Sequence, residues 1–265
     1  MYAVNYHKPA NVKEAASLLK AGDEAKILAG GQTLLPTMKQ HLAAPSDVVD
    51  IRGIDGIGKI STDGARLTIG AAATHAHVAT SADVQALCPA LCHLASRIGD
   101  PAVRHMGTIG GSIANNDPAA DYPAAMLALG ATIVTDRREI AADDFFAGLF
   151  TTALDEGEII TAIVIAAPEK AGYAKFANPA SRYALVGVFV ARTGDGVRVA
   201  VTGAGDDGVF RHQGLEAALA GDWSPEAVDA VVVDEGGLMT DIHASAAYRA
   251  NLIKVMAGRV VAAAE

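Results

Sequence analysis

Two short stretches hold the residues whose types and spacing could do chemistry. The first is "LAGGQTLLPTMK", Leu28 to Lys39, where an apolar run ends in Gly30 and Gly31. A strand that ends in paired glycines leaves backbone N–H groups without partners, and the missing Cβ atoms let those groups converge. Converging N–H groups form an anion site whose usual guest is phosphate. Gln32 and Thr33 add side-chain donors. On its own the stretch also reads as an ordinary glycine turn. The second is "TIGGSIANNDPAADYP", Thr108 to Pro123, which sets Gly110 and Gly111 between two hydroxyls, Thr108 and Ser112. Two such clusters suggest two walls around an extended polar ligand. A dinucleotide has that shape, with a diphosphate in the middle and sugar hydroxyls on both sides. Asp121 suits a hydroxyl of a ribityl or ribose chain. It also reads as the N-cap before "YPAAMLALG", and the two roles can coexist.

Other chemistries find little support. There is no G-x-G-x-x-G between strand and helix and no G-x-x-x-x-G-K-[ST], so the ordinary nicotinamide-dinucleotide and P-loop fingerprints are missing. No Ser-His-Asp or Cys-His set stands out by spacing. His75 and His77 in "AAATHAHVAT" supply only two ligands and read as structural or surface groups. Cys88 and Cys92 are the only cysteines. They read as core packing within "ALCPALCHLA", and an iron–sulfur cluster needs four protein ligands that this chain cannot supply from cysteine.

The elements that must position these residues follow from periodicity and punctuation. "NVKEAASLLKAG" reads as a capped amphipathic helix with a glycine stop. "AKILAGG" and "SDVVDIRGI" read as short strands, which makes a βαβ-like opening of residues 1–55. "ARLTIGAAAT" alternates like a strand. "SADVQALCPALCHLASRIG" reads as one helix, capped by Ser81 and stopped at Gly99. Residues 99–123 read as turn-rich. "AAMLALGATIVT" gives a helix and a strand, and "GEIITAIVIAAP" another strand. After Pro168, "ALVGVFVAR" and "GVRVAVTGAG" flank "TGDG", a strong hairpin signal. The tail "SAAYRANLIKVMAGRVVAAA" reads as a long helix. Residues 169–265 therefore read as a separate α+β domain of antiparallel sheet and helices.

The chain has 265 residues and is half hydrophobic, so it can bury a real core. Its net charge of −9 argues against a nucleic-acid surface. No apolar run approaches the ~18 residues of a membrane span. The opening "MYAVNYHKPANVKEAASLL" lacks a charged-then-apolar signal pattern, and a soluble cytoplasmic protein is expected.

Taken together, "AGGQTLLPTMK" and "DPAVRHMGTIGGSIANNDPAADYPA" resemble the FAD-binding medium subunit of the molybdenum hydroxylases, typified by aerobic carbon monoxide dehydrogenase and the flavin domain of xanthine dehydrogenase. The resemblance covers essentially the whole chain, including "YHKPANVKEAASLL", "YAKFANPASRYALVGVFVA" and "AAYRANLIKVMAGRV". It implies an α+β fold: an FAD-binding domain over residues 1–168, made of a small βαβ-type part (1–55) and a larger mixed or antiparallel sheet (56–168), then a C-terminal α+β domain over 169–265.

The resemblance also implies a cofactor site. Leu28, Ala29, Gly30, Gly31, Gln32, Thr33, Leu34 and Leu35 would form a first wall around the diphosphate. Thr108, Ile109, Gly110, Gly111 and Ser112 would form the second. Asp121 would bind a cofactor hydroxyl, Ile98 and Ile160 would lie near the flavin, and Lys175 would approach the ring system. As plain residues, the isoleucines read as core and the lysine as a solvated strand end. Gln32-Thr33 stands where many relatives have His-Ser, and Ser112 where many have Asn. "ASRYAL" lacks the acidic residue that often follows the Arg, so Arg182 receives no role. The implied partners are a small subunit with [2Fe–2S] clusters and a large molybdopterin subunit, as a dimer of heterotrimers. Substrate hydroxylation would occur at molybdenum, and FAD here would pass electrons to an external acceptor. Carbon monoxide, a purine, an N-heterocycle and an aldehyde all stay open as substrates, as do quinone, oxygen and a nicotinamide as acceptors. The alternatives are a stand-alone flavin oxidase or dehydrogenase, which should carry a large substrate-cap domain, and a non-enzymatic dinucleotide-binding module.

Overall fold

The computed structural model describes residues 1–264. The opening is a right-sized βαβ unit. Asn11 caps the Val12–Ala21 helix by accepting from the Glu14 N–H, while Glu14 accepts from the Ala10 N–H in return. The strands Asn5–His7, Asp47–Asp50 and Lys26–Leu28 form a three-stranded parallel sheet with Asp47–Asp50 in the middle. The first glycine pair follows directly on the Lys26–Leu28 edge.

A second, five-stranded sheet is antiparallel throughout, in the order Ile60–Asp63, Arg66–Gly70, Ile160–Ala166, Thr132–Thr135, Glu139–Ala141. Helices between residues 75 and 129 cover it. The Tyr122–Leu129 helix is buried on every side, which fits its almost unbroken apolar sequence.

The third sheet is a four-stranded antiparallel meander, Lys170–Ala177, Ala184–Thr193, Gly196–Gly205 and Gly208–Arg211. The expected hairpin closes with Thr193 opposite Gly196. Its two central strands, Ala184–Thr193 and Gly196–Gly205, are largely apolar because both faces are covered. Tyr173, Phe189, Ala191 and Ala200 join the core under the Tyr122–Leu129 helix. Val186, Val188, Val190, Val199 and Val201 pack instead on the Ala246–Ala263 helix through Leu252, Ile253 and Met256.

Two segments differ from the sequence expectation. The single helix expected over residues 81–99 is two, Ala82–Leu87 and Pro89–Ser96, with Ser81 capping the first as expected. Pro89 has no N–H to continue a helix and keeps Cys88 out of the helical conformation, at φ −150° and ψ 76°. The turn-rich stretch 99–123 holds two short helices, Pro101–Met106 and Ile109–Asn115. Asp100 and Thr108 cap them by accepting from the Val103 and Gly111 N–H groups.

Candidate functional site

The two glycine stretches meet. Gly30 lies against the backbone of Met106 and Gly107, so closely that a Cβ on Gly30 would fall 2.5 Å from Gly107 Cα. Gly31 has φ +70°, a left-handed conformation that glycine adopts without strain. Beside this contact opens a cleft of about 880 Å³, at the large end of the usual range for ligand sites.

The first wall keeps its amides free. Among the described residues, the N–H groups of Gly30, Gly31, Gln32 and Thr33 donate to no protein acceptor. Successive unpaired N–H groups in a turn make an anion-binding concavity, so this loop fits a diphosphate on its own geometry. Ala29, Gly30, Gly31, Gln32, Thr33 and Leu34 all line the cleft. Leu28 and Leu35 do not. They lie beneath Gly31, where a Cβ would meet both their Cδ1 atoms, and they belong to the small cluster around Met38 and Val48.

The second wall works differently from the first. Its amides are already taken: Ile109 and Gly110 donate to the carbonyls of Ala73 and Ala71, and Gly111 and Ser112 to Thr108. Gly110 is needed for packing, since a Cβ there would fall 2.6 Å from the Ala71 Cβ. What this wall offers a ligand is therefore shape and side chains. Thr108, Gly110, Gly111 and Ser112 line the cleft, with Asn115 one turn beyond Ser112. Ile109 points away into the main core.

Asp121 lines the cleft at the start of the Tyr122–Leu129 helix, but its side chain makes no capping hydrogen bond. Instead its Oδ1 accepts from the Tyr173 hydroxyl at 2.5 Å and lies 2.8 Å from Lys175 Nζ. Tyr173 and Lys175 are two apart on one strand and so share a face. Burial pushes the Asp121 carboxyl up, with the Lys175 ammonium pulling against it. Lys175 is sealed behind Asp121 and does not itself line the cleft. Ile98 and Ile160 both line it. Arg104 donates to the Ile98 and Gly99 carbonyls and so fixes the turn that carries Ile98.

Some lining groups receive no cofactor role from the sequence. Arg182 and Tyr183 reach the cleft from the 178–183 loop, where Arg182 has φ +63° and Asn178 gathers the backbone of Ala180, Ser181 and Arg182. The self-bonding Asn-Pro start of that loop was the available signal. His75 also lines the cleft and is buried, while His77 is exposed. Cys88 and Cys92 are buried free thiols in the main core; burial pushes the Cys88 thiol up to about 12, and the Cys92 thiol donates to the Val78 carbonyl. Among the described residues, no three His, Cys, Asp or Glu side chains could hold a metal, and no helix is long and apolar enough to cross a membrane.

A small parallel unit and a larger antiparallel one, meeting at glycine contacts beside a large cleft with free amides, define a cofactor-carrying protein. Known proteins sharpen that class. The chain is 36% identical to the nicotine 6-hydroxylase medium subunit of Paenarthrobacter nicotinovorans, over 98% of this chain and 96% of that one. It is 36% identical to the carbon monoxide dehydrogenase medium chain of Hydrogenophaga pseudoflava, over 85% and 83%. A solved carbon monoxide dehydrogenase from the latter organism, lacking the Mo-pyranopterin moiety of its molybdenum cofactor, contains a chain that superposes with a TM-score of 0.90 at 34% identity, over 99% and 97%. Residues 2–168 match the family described as the FAD binding domain in molybdopterin dehydrogenase, and the chain belongs to that family of oxidoreductases. The resemblance read from the two glycine motifs is thus borne out, as is the α+β fold.

Proposed function

We propose that this chain is the FAD-carrying electron-transfer subunit of a molybdenum hydroxylase complex. Residues 1–168 carry the cofactor, and residues 169–265 form a second domain that supports the cleft from behind through Tyr173 and Lys175. The observation that carries the reading is the run of unpartnered N–H groups at residues 30–33 on the wall of a cleft of about 880 Å³. Those amides hold the diphosphate. Ser112 and Asn115 offer hydrogen bonds from the opposite wall, and Asp121, fixed by Lys175 and Tyr173, accepts from a cofactor hydroxyl. Ile98 and Ile160 give the ring an apolar bed that excludes water. When bound, the isoalloxazine supplies a centre that takes electrons singly and releases two.

The electrons come from [2Fe–2S] clusters in a small partner subunit, fed by a molybdopterin centre in a large one, within a dimer of heterotrimers in the cytoplasm. The relatives described as medium subunits and medium chains support such an assembly. Co-expression with chains encoding those two partners tests it. Iron, molybdenum and FAD should co-purify in fixed ratio, and the substrate of the large subunit should bleach the flavin absorbance anaerobically. A chain that takes up FAD alone and reduces it with its own substrate would overturn the electron-transfer role.

A further inference from the structure

His75 has no part in the contacts above, yet its placement is closely determined. It opens the His75–Thr80 helix, which Thr74 caps by accepting from the His77 N–H. Its own backbone N–H donates to the Gly107 carbonyl at 2.9 Å, beside the bridge between Thr74 and Thr108. The side chain lines the cleft although the residue is only 5% exposed.

Its two ring nitrogens meet different surroundings. Nδ1 is fully buried and has no partner, and the nearby Tyr122 hydroxyl is likewise unpartnered. Nε2 has no protein partner either, but it is not sealed in, and it packs on Gly107: a Cβ there would fall 2.5 Å from it. Gly107 in turn abuts Gly30. Imidazole, Gly107 and Gly30 thus form a stack that leads to the free amides of the first wall.

Burial, reinforced by the Arg104 guanidinium, pushes the imidazole down to about 4, so the ring is neutral near pH 7 and carries one N–H and one lone pair. Burying an unmet N–H is rarer than burying an unmet acceptor. The proton therefore belongs on Nε2, at the cleft, with the lone pair on the sealed Nδ1. We infer that His75 is a further cofactor-binding residue, whose neutral imidazole donates from Nε2 to an oxygen of the bound diphosphate. This rests on the FAD reading above and adds a donor from behind the glycine contact. Gly107 is glycine because any side chain there would displace the ring.

Calorimetric titration of the cofactor-free 265-residue chain with FAD, and with ADP as a diphosphate probe, tests the inference. His75→Phe should weaken FAD binding by about 10-fold or more, the loss of one hydrogen bond to a charged acceptor. ADP binding should weaken by a similar factor, and His75→Gln, which keeps an N–H donor, should recover most of both. The cofactor-free variants should melt with the wild type. If His75→Phe does not fold, ¹⁵N spectra of the wild-type imidazole decide. FAD should then move the Nε2 resonance and leave Nδ1 in the unprotonated range. Unchanged FAD affinity in His75→Phe, or an Nε2 resonance that FAD does not move, overturns the inference while leaving the FAD reading intact. A wild-type chain that takes up no FAD overturns both.

Discussion

The Lys175 ammonium lies 2.8 Å from an Asp121 carboxylate oxygen, and the two side chains are only 1% and 5% exposed. The pair brings a charged group to the wall of the cleft from behind, through a strand of the third sheet. Tyr173 adds a hydroxyl from the same strand face. Asp121 is therefore held by the C-terminal meander while it serves the N-terminal cleft, and the two parts of the chain are coupled at one carboxylate.

Breaking that pair should be costly. Lys175→Met leaves Asp121 buried without its counter-charge and should lower unfolding free energy by about 3–5 kcal/mol. Adding Asp121→Leu should recover much of this, because removing both charges also removes the desolvation cost. Urea denaturation of the two single variants and the double variant gives the coupling directly. A double variant as unstable as Lys175→Met alone would show that the carboxylate is not the group left stranded.

Gly30 should tolerate no side chain. A Cβ would collide with the Met106 carbonyl and Gly107, and these are backbone atoms that cannot rotate away. Gly30→Ala should cost about 1–3 kcal/mol and lose retained flavin, because the walls are pushed apart. Gly53→Ala is the matched control, since a Cβ there meets nothing within 4 Å, and it should stay within about 0.5 kcal/mol of the parent. Flavin absorbance after gel filtration and thermal melting check both.

These glycines mark where the sequence could and could not be read. Gly30 and Gly31 announce a special backbone, because a strand ended there. Gly107 and Gly110 owe their identity to His75 and Ala71, which are distant in sequence, and no local pattern carries that information. The helix Ile109–Asn115 was hidden by its composition, since glycine and asparagine usually mark turns. Thr108 reads in the sequence as a hydroxyl beside the glycine pair, and its capping of that helix is known only from the structure. As a plain residue Lys175 reads as a solvated strand end, which its 1% side-chain exposure overturns, while its spacing from Tyr173 is legible as a shared strand face. That both would converge on Asp121 is tertiary and was not. Long apolar runs such as "ALVGVFVAR" were the most secure, because burial on both faces leaves a strand little choice of residue.

Acid should weaken the cleft floor through Glu158. Its carboxylate accepts from Arg138, from the Thr135 hydroxyl and from the Asp155 N–H. The Arg138 hydrogen bonds, set against burial, pull it from 4.5 down to about 2. Between those values the unfolded carboxyl binds a proton that the folded one refuses, so stability rises with pH across that window. The stability gap between wild type and Glu158→Gln should be full above pH 4.5 and close as pH falls through about 2. Denaturation midpoints of both proteins across that range check it; a gap independent of pH would remove the carboxylate from the account.

Asn116 should be the most discriminating position behind the second wall. It ends the Ile109–Asn115 helix in a left-handed conformation, φ 42° and ψ 48°, which asparagine tolerates better than most residues. Its Nδ2 donates to the carbonyls of Gly148 and Thr151, both at 2.8 Å, and its own carbonyl accepts from the Phe150 N–H. The side chain thus pins the 148–151 turn onto the helix that presents Ser112 and Asn115. Asn116→Gly relieves the backbone but frees two carbonyls. Asn116→Ala frees the same carbonyls and keeps the strain, and should cost about 2–4 kcal/mol. Asn116→Asp turns a carboxylate toward two carbonyl oxygens and should be the worst of the three at pH 7, improving only as acid protonates it. Stability should therefore rank Gly above Ala above Asp in urea melts. If Asp equalled Ala at neutral pH, the two carbonyls would be met by water, and the Asn116 amide would not be what holds the turn.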